Sequence, residues 1–446
     1  MQVWKFGGTS VGKPERMKSI HRLVVSDPGR KIIVLSALSG STNALLSIGE
    51  SAYANDVAAI DQKIAELRAH YDAFVAELYS TEDGLAAGKE IVASEFSHIA
   101  SLTGIRPYTS KQDKELVAEG EILSTQLFAA YLAEQKESSV LISALDFMHI
   151  DADAEPESKL IETKLDAILA QYTDKQIIVT QGFICRNPRN EIDNLKRGGS
   201  DYTASLIGGA IRAEEIQIWT DIDGMHNNDP RIVKRTFPVR ELSFEEAAEL
   251  AYFGAKILHP STITPAKIRN VPVRLKNTMQ PEAPGTLIST RTSGEQDVKA
   301  IAAKDNITAI YIHSTRMLNA YGFLRRVFGI FENYKTPVDM ITTSEVSVSV
   351  TIDNPAHLEA ISAELREFAD LEENDRDQTI ICIVGNFSAD KAGIAWKVLD
   401  SVKHIPIRMI SYGASEHNLS LLVHTSYKEE ALNALNESLF FQNTPA

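Results

Sequence analysis

Lys5-Phe-Gly-Gly-Thr-Ser-Val-Gly-Lys13 is the stretch whose reading decides the fold. The residues up to Phe6 read as a β-strand. Two glycines follow, then hydroxyl residues that can open a helix. Glycines let backbone N–H groups approach an anion closely, and a helix N-terminus adds a favourable dipole. The spacing Gly7-x4-Gly12-Lys13 comes close to a P-loop, but Pro14 stands where the magnesium-ligating Ser or Thr would be. A P-loop fold is therefore disfavoured. The glycines alone also fit an ordinary strand-to-helix turn. Lys5 shifts the balance, because a lysine on an apolar strand is costly to bury unless it meets an anion.

Outward from this stretch, the first 290 or so residues alternate strand and helix patterns. Short apolar, β-branched runs fall at 3–6, 31–37, 140–144, 176–185 and 215–220. Near-continuous apolar strands separated by helices imply a mostly parallel sheet covered on both faces. Ser243 and Glu246 fit a capping box, with Gly254 at the matching helix end. Residues 281–294, rich in Pro, Gly, Ser and Thr, read as a boundary. Beyond it a strand–helix–strand order at 310–313, 322–331 and 338–341 recurs about 70 residues later, at 381–384, 393–399 and 407–410. This predicts two copies of one small α+β unit.

Composition narrows the function classes. A net charge of −15 repels nucleic acid and anionic membrane, so any phosphate ligand needs cations gathered locally. Cys185 and Cys382 are isolated, which suits a reducing compartment and argues against a disulfide framework. No run of about 18 apolar residues is present, and the N-terminus starts as a strand rather than a leader. A cytoplasmic location is the expectation.

Three further segments offer cations or anion-facing glycines. Arg197-Gly-Gly-Ser-Asp-Tyr-Thr-Ala204 leads into an apolar helix; Arg197 has the planar fork that suits a carboxylate, and Asp201 is a ligand contact or a plain N-cap. Trp219-Thr-Asp-Ile-Asp-Gly224 follows a strand, where ligands bind in open parallel sheets. Its Asp221 and Asp223 reach ribose or magnesium, or form Asx turns. In Phe253-Gly-Ala-Lys-Ile-Leu-His-Pro260, Lys256 reaches a phosphate or stabilises a helix end.

Taken in order, Lys5–Val11, Glu115-Leu-Val with Gly120-Glu-Ile-Leu-Ser124, Gln181-Gly-Phe, 197–204, Trp219-Thr-Asp and 253–260 resemble the aspartate kinases of the amino-acid kinase family. The resemblance covers essentially the whole chain. It implies an α/β fold, an αβα sandwich with a mostly parallel sheet at 1–290. Two ferredoxin-like ACT domains follow, one at 305–376 and the other at 299–304 plus 377–446. The implied reaction transfers the γ-phosphate of ATP, with Mg²⁺, to the side-chain carboxylate of aspartate. By the resemblance Lys5, Gly7, Gly8 and Thr9 border the transferring phosphate, with Asp201 organising the lysine. Ser36, Ala37 and Thr42, beside Asn43, belong to the substrate site. Glu115 holds the substrate ammonium and Arg197 its α-carboxylate. Thr220, Asp221, Arg231 and Lys256 hold the nucleotide, as does His226, which replaces the usual aromatic. The metal ligands stay unassigned.

The repeated unit resembles paired ACT domains of the lysine-responsive subgroup. That implies an effector pocket of Met317, Gly322, Phe323, Leu324 and Ser344, with Asp339 and Glu345 on the effector's ammonium groups. Lysine is the implied feedback inhibitor and threonine the alternative. A homodimer through the ACT units is expected, and no homoserine dehydrogenase is fused after Ala446. Two rivals stay open: another carboxylate kinase of the same family, and a catalytically dead amino-acid sensor.

Overall fold

The computed structural model describes residues 1–195, 198–254, 260–292, 296–314, 321–372, 375–388 and 391–441. Arg197, Lys256 and Met317 lie outside the described residues. The chain forms two units. One comprises Met1–Met225, Arg240–Phe244 and Leu258–Thr292; the other comprises His226–Val239, Glu245–Ile257 and Ser293–Ala446.

The first unit carries an eight-stranded sheet in the order Ser139–Leu141, Ile177–Gln181, Lys31–Leu35, Gln2–Phe6, Ile216–Thr220, Val273–Asn277, Thr286–Ser289, Glu241–Ser243. All neighbours are parallel except Val273–Asn277 with Thr286–Ser289. Strand Lys31–Leu35 is buried at every position, as a strand covered on both faces must be. Trp4, Phe6, Ile33, Leu35, Val179 and Trp219 pack against a helical layer that includes Val57–Leu78, Glu82–Gly104 and Ser110–Glu134. Because side chains alternate along a strand, Lys5 faces away from Trp4 and Phe6. The third of those helices opens with a capping box between Thr109 and Gln112.

Residues 281–294 are not merely a boundary. Thr286–Ser289 is a strand of the sheet, with Thr286 and Ile288 fully buried. Four residues flanked by Pro and Gly are too short to show a period of two. The apolar run at 176–185 also divides, into Ile177–Gln181 and the hairpin strand Ile184–Arg186, which pairs with Ile192–Asn194.

The second unit is built on a seven-stranded antiparallel sheet. The strand–helix–strand–strand–helix order occurs twice. The first copy runs through Phe323–Asn333, Ile341–Thr343, Ser347–Ile352 and Leu358–Arg366, the second through Ile394–Ser401, Ile407–Tyr412, Asn418–His424 and Lys428–Asn436. One 16-residue strand, Val298–His313, serves both: Val298–Lys304 pairs with Ile380–Gly385, and Thr308–His313 pairs with Ser347–Ile352. Each copy has its own apolar core. Helix Phe244–Tyr252 packs into this unit from Glu245 onward, and the Glu246 carboxylate forms a buried 2.8 Å ion pair with Lys299. Gly254 sits at φ 132°, and a Cβ there would lie 2.3 Å from the Ala303 carbonyl oxygen, so only glycine fits.

Candidate active site

Parallel pairing aligns strand ends. Phe6 registers with Leu35 and with Trp219, and Leu35 registers with Gln181. The residues that follow, Gly7, Ser36, Gly182 and Thr220–Asp221, therefore meet at the carboxyl edge of the sheet, where open α/β sheets place ligands. The edge is stitched by backbone donors: Ser36 N–H to the Phe6 carbonyl at 3.2 Å, Gly182 N–H to the Leu35 carbonyl at 2.9 Å.

A cavity of about 340 Å³ opens at this edge, lined by residues that include Gly8, Ser36, Ala37, Thr42, Asn43, Glu121, Phe183 and Ser200. Two glycines pack closely at this edge, Gly8 in the cavity lining and Gly182 at the strand end. A Cβ on Gly8 would lie 3.1 Å from the Ala37 carbonyl oxygen, and one on Gly182 would lie 2.5 Å from Ser200. The N-terminus of helix Gly199–Ala210 points its first residues into the cavity wall.

Lys5 and Asp201 form a 2.7 Å ion pair, both side chains mostly buried. Strand alternation sends Lys5 to the face on which that helix packs, so Asp201 in its first turn becomes the partner. The Lys5 ammonium lies close to Gly7, whose Cβ would come within 3.3 Å of it.

Two carboxylates of the substrate segment are placed differently. Glu115 is not among the residues that line this cavity and pairs with His98 at 3.4 Å. Glu121 lines the cavity. One of its oxygens accepts the Ala37 N–H at 3.2 Å, and the other is buried with no hydrogen-bond partner among the described residues. Burial pushes the Glu121 carboxyl up to about 7, against the opposing pull of the Ala37 N–H and the Lys5 charge. Sequence reading placed Glu121 inside the substrate segment and gave the ammonium role to Glu115, six residues earlier. Gly120 was the available signal: a Cβ there would lie 2.8 Å from the Ala37 Cβ, so the glycine lets Glu121 reach the strand end.

Residues 1–277 match the amino acid kinase family and residues 381–439 match an ACT domain. The chain belongs to the amino acid kinase family. It is 36% identical over 465 residues to Aspartokinase 3, chloroplastic, of Arabidopsis thaliana, covering 99% of this chain and 82% of that one. Its fold matches Escherichia coli aspartokinase III in complex with aspartate and ADP (R-state) at TM-score 0.84 and 32% identity, over 99% of this chain and 100% of that one. The same enzyme in complex with lysine and aspartate (T-state) matches at TM-score 0.81 and 32% identity, over 99% of each chain.

Within this amino acid kinase frame, the remaining expected residues fall in several places. Thr9 follows Gly8 in the short helix Gly8–Val11. Thr220 donates to Asp221 at 3.2 Å at the end of its strand. His226 and Arg231 belong to the second unit; His226 Nδ1 lies 3.1 Å from the Thr236 hydroxyl, and Arg231 holds Asp229 at 2.6 Å. Gln181 supports the cavity from behind, donating to Thr125 at 2.9 Å and accepting the Ala144 N–H at 2.8 Å.

In the second unit, Gly322, Phe323 and Leu324 open a helix, with Gly322 at φ 85°. Asp339 and the pair Ser344–Glu345 stand at opposite ends of strand Ile341–Thr343. Asp339 is therefore separated from Glu345, and it gathers a different set of partners, described below.

Proposed function

We propose that the chain is an aspartate kinase, converting ATP and L-aspartate to ADP and 4-phospho-L-aspartate. The observation that carries this is the Glu121 carboxylate, buried with one unsatisfied oxygen in a cavity beside Lys5 and Gly8. A substrate ammonium satisfies that oxygen and restores the charge that burial disfavours. Ser36, Ala37 and Thr42 border the same space. Arg197 closes the clamp on the α-carboxylate in this reading.

The nucleophile needs no general base, since an aspartate side chain is ionised at neutral pH. The barrier is the approach of one anion to another. Lys5, held in place by Asp201, and the backbone donors at Gly8 and the start of helix Gly199–Ala210 offset the charge on the transferring phosphoryl group. Thr9, Thr220, Asp221, His226, Arg231 and Lys256 are assigned to the nucleotide. Among the described residues no group of three His, Cys, Asp or Glu forms a metal cage. Mg²⁺ is accordingly assigned to nucleotide oxygens and water, where it screens phosphate charge.

Regulation by lysine is assigned to the second unit, with Asp339, Ser344, Glu345, Gly322, Phe323, Leu324 and Met317 as its residues and threonine as the substitute effector. The assembly is assigned as a homodimer through the ACT units. Among the described residues no helix is long and apolar enough to cross a membrane, and both thiols are buried and free; a cytoplasmic location follows in this reading. One assay tests the catalytic assignment: with ATP, aspartate and hydroxylamine, aspartyl hydroxamate accumulates. Hydroxamate formed only from another acid would move the chain to a different carboxylate kinase, and none from any acid would leave a sensor.

A further inference from the structure

Asp339 carries the most crowded carboxylate of the second unit. Its side chain is 1% exposed. One oxygen takes both the Lys304 ammonium and the Tyr252 hydroxyl, each at 2.7 Å. The other oxygen is buried with no hydrogen-bond partner among the described residues. A buried oxygen left unsatisfied is destabilising, so a further donor there is favoured.

The Lys304 ammonium is fully engaged. It holds Asp339, reaches Asp353 at 2.9 Å, and lies 4.4 Å from the centre of the Tyr252 ring. These partners raise the Lys304 pKa despite burial, while burial first, then Asp339 and Asp353, push the Tyr252 hydroxyl up. Asp353 is 40% exposed, so the cluster opens to water on that side. Lys304 stands where the shared strand passes from one repeat to the other. The pairing with Asp375–Gly385 shifts register between Lys304 and Ile307, with Asn306 at φ 60°. Tyr252 ends the helix Phe244–Tyr252, and Lys256 follows it four positions later in the sequence.

We propose that Lys304 is a tethered competitor for the Asp339 carboxylate, held there by Asp353, and that its exchange for a free amino acid's ammonium is what the effector brings about. The inference rests on the lysine-regulation reading above and deepens it. In the state described here the chain's own ammonium fills the place. An incoming ammonium offers three N–H donors, enough for both Asp339 oxygens, and lets Lys304 swing out past Asp353. The exchange changes what Tyr252 bonds to and hence how the helix end before Lys256 is held. Only an effector that binds the two arrangements with different affinity shifts their populations, and displacement of Lys304 supplies that difference.

The test is calorimetric titration of L-lysine into the full chain, beside inhibition of aspartate phosphorylation. Lys304→Met removes the competitor and keeps the carboxylates, so lysine binding tightens by about tenfold or more. Asp353→Asn loosens Lys304 without touching Asp339, so it tightens binding by a smaller factor and serves if the first variant fails to fold. Tyr252→Phe keeps lysine binding and weakens the inhibition that binding causes. Unchanged or weaker lysine binding in both Lys304→Met and Asp353→Asn overturns the competitor. Undiminished inhibition in Tyr252→Phe overturns the transmission through that hydroxyl. If the wild-type chain phosphorylates aspartate yet neither binds lysine nor is inhibited by it, the lysine reading fails. Lysine binding gained by Lys304→Met alone would then still support the competitor, and binding by neither chain would overturn both.

Discussion

At the residue scale, two glutamates two positions apart, on opposite faces of helix Ser110–Glu134, carry opposite expectations. Glu121 has its carboxyl raised from 4.5 to about 7. In the proposed substrate contact only its charged form holds an ammonium, so the KM for aspartate is expected to rise about tenfold for each pH unit below that value. Glu121→Gln raises KM at neutral pH and flattens the profile; initial-rate kinetics across pH 5.5–8 checks both. A folded-state pKa above the unfolded one also means that the native chain holds the proton more tightly. The ligand-free stability from this group is thus full below pH 4.5 and declines as pH rises through about 7. Glu119 differs. Burial first, then the hydrogen bond and charge of Glu95 and the charge of Glu115, push it up to about 9, so it is neutral at pH 7. Glu119→Gln replaces one neutral hydrogen-bonding group by another, and urea denaturation should place it within about 0.5 kcal/mol of wild type.

At the element scale, close approach decides the outcome. Helix Gly199–Ala210 lies so near the strand end that a Cβ on Gly182 would fall 2.5 Å from the Cβ and hydroxyl of Ser200. Gly182→Ala must push that helix start outward, moving Asp201 from Lys5. A fall in kcat of about a hundredfold or more, with the fold kept by circular dichroism, is expected from a shift near 1 Å. In the second unit the buried pair Lys299–Glu246 ties helix Phe244–Tyr252 to the shared strand, with side chains 5% and 4% exposed. Lys299→Met removes the ion-pair partner of a buried carboxylate and costs about 3 kcal/mol; adding Glu246→Leu recovers part of it. Chemical denaturation of the single and double variants checks this. Helical periodicity alone was an incomplete guide at this scale. Leu160 fits the apolar face of helix Ser158–Leu169 by spacing, yet it stays 37% exposed while Ile161, Leu165 and Leu169 are buried.

At the scale of the molecule, two units with separate apolar cores are expected to unfold separately. Differential scanning calorimetry should show two transitions, and lysine should raise the one that belongs to the second unit, because a ligand stabilises the state that binds it. Much of this organisation was legible in the sequence. Gly7, Gly8 and Gly182 announce backbone crowding, buried β-branched runs announce a parallel sheet, and the recurrence after residue 300 announces paired α+β units, since each depends on local sterics or on a period along the chain. Which carboxylate faces the cavity was not legible. Glu115 and Glu119 lie four residues apart and share a helix face, while Glu121 stands on the opposite one, and only packing against Ala37 selects between faces. Nor could a linear pattern reveal that Lys304 would meet Asp339, or Tyr252 the same oxygen. Those partners are separated by dozens of residues, and what joins them is the path of one strand through two repeats.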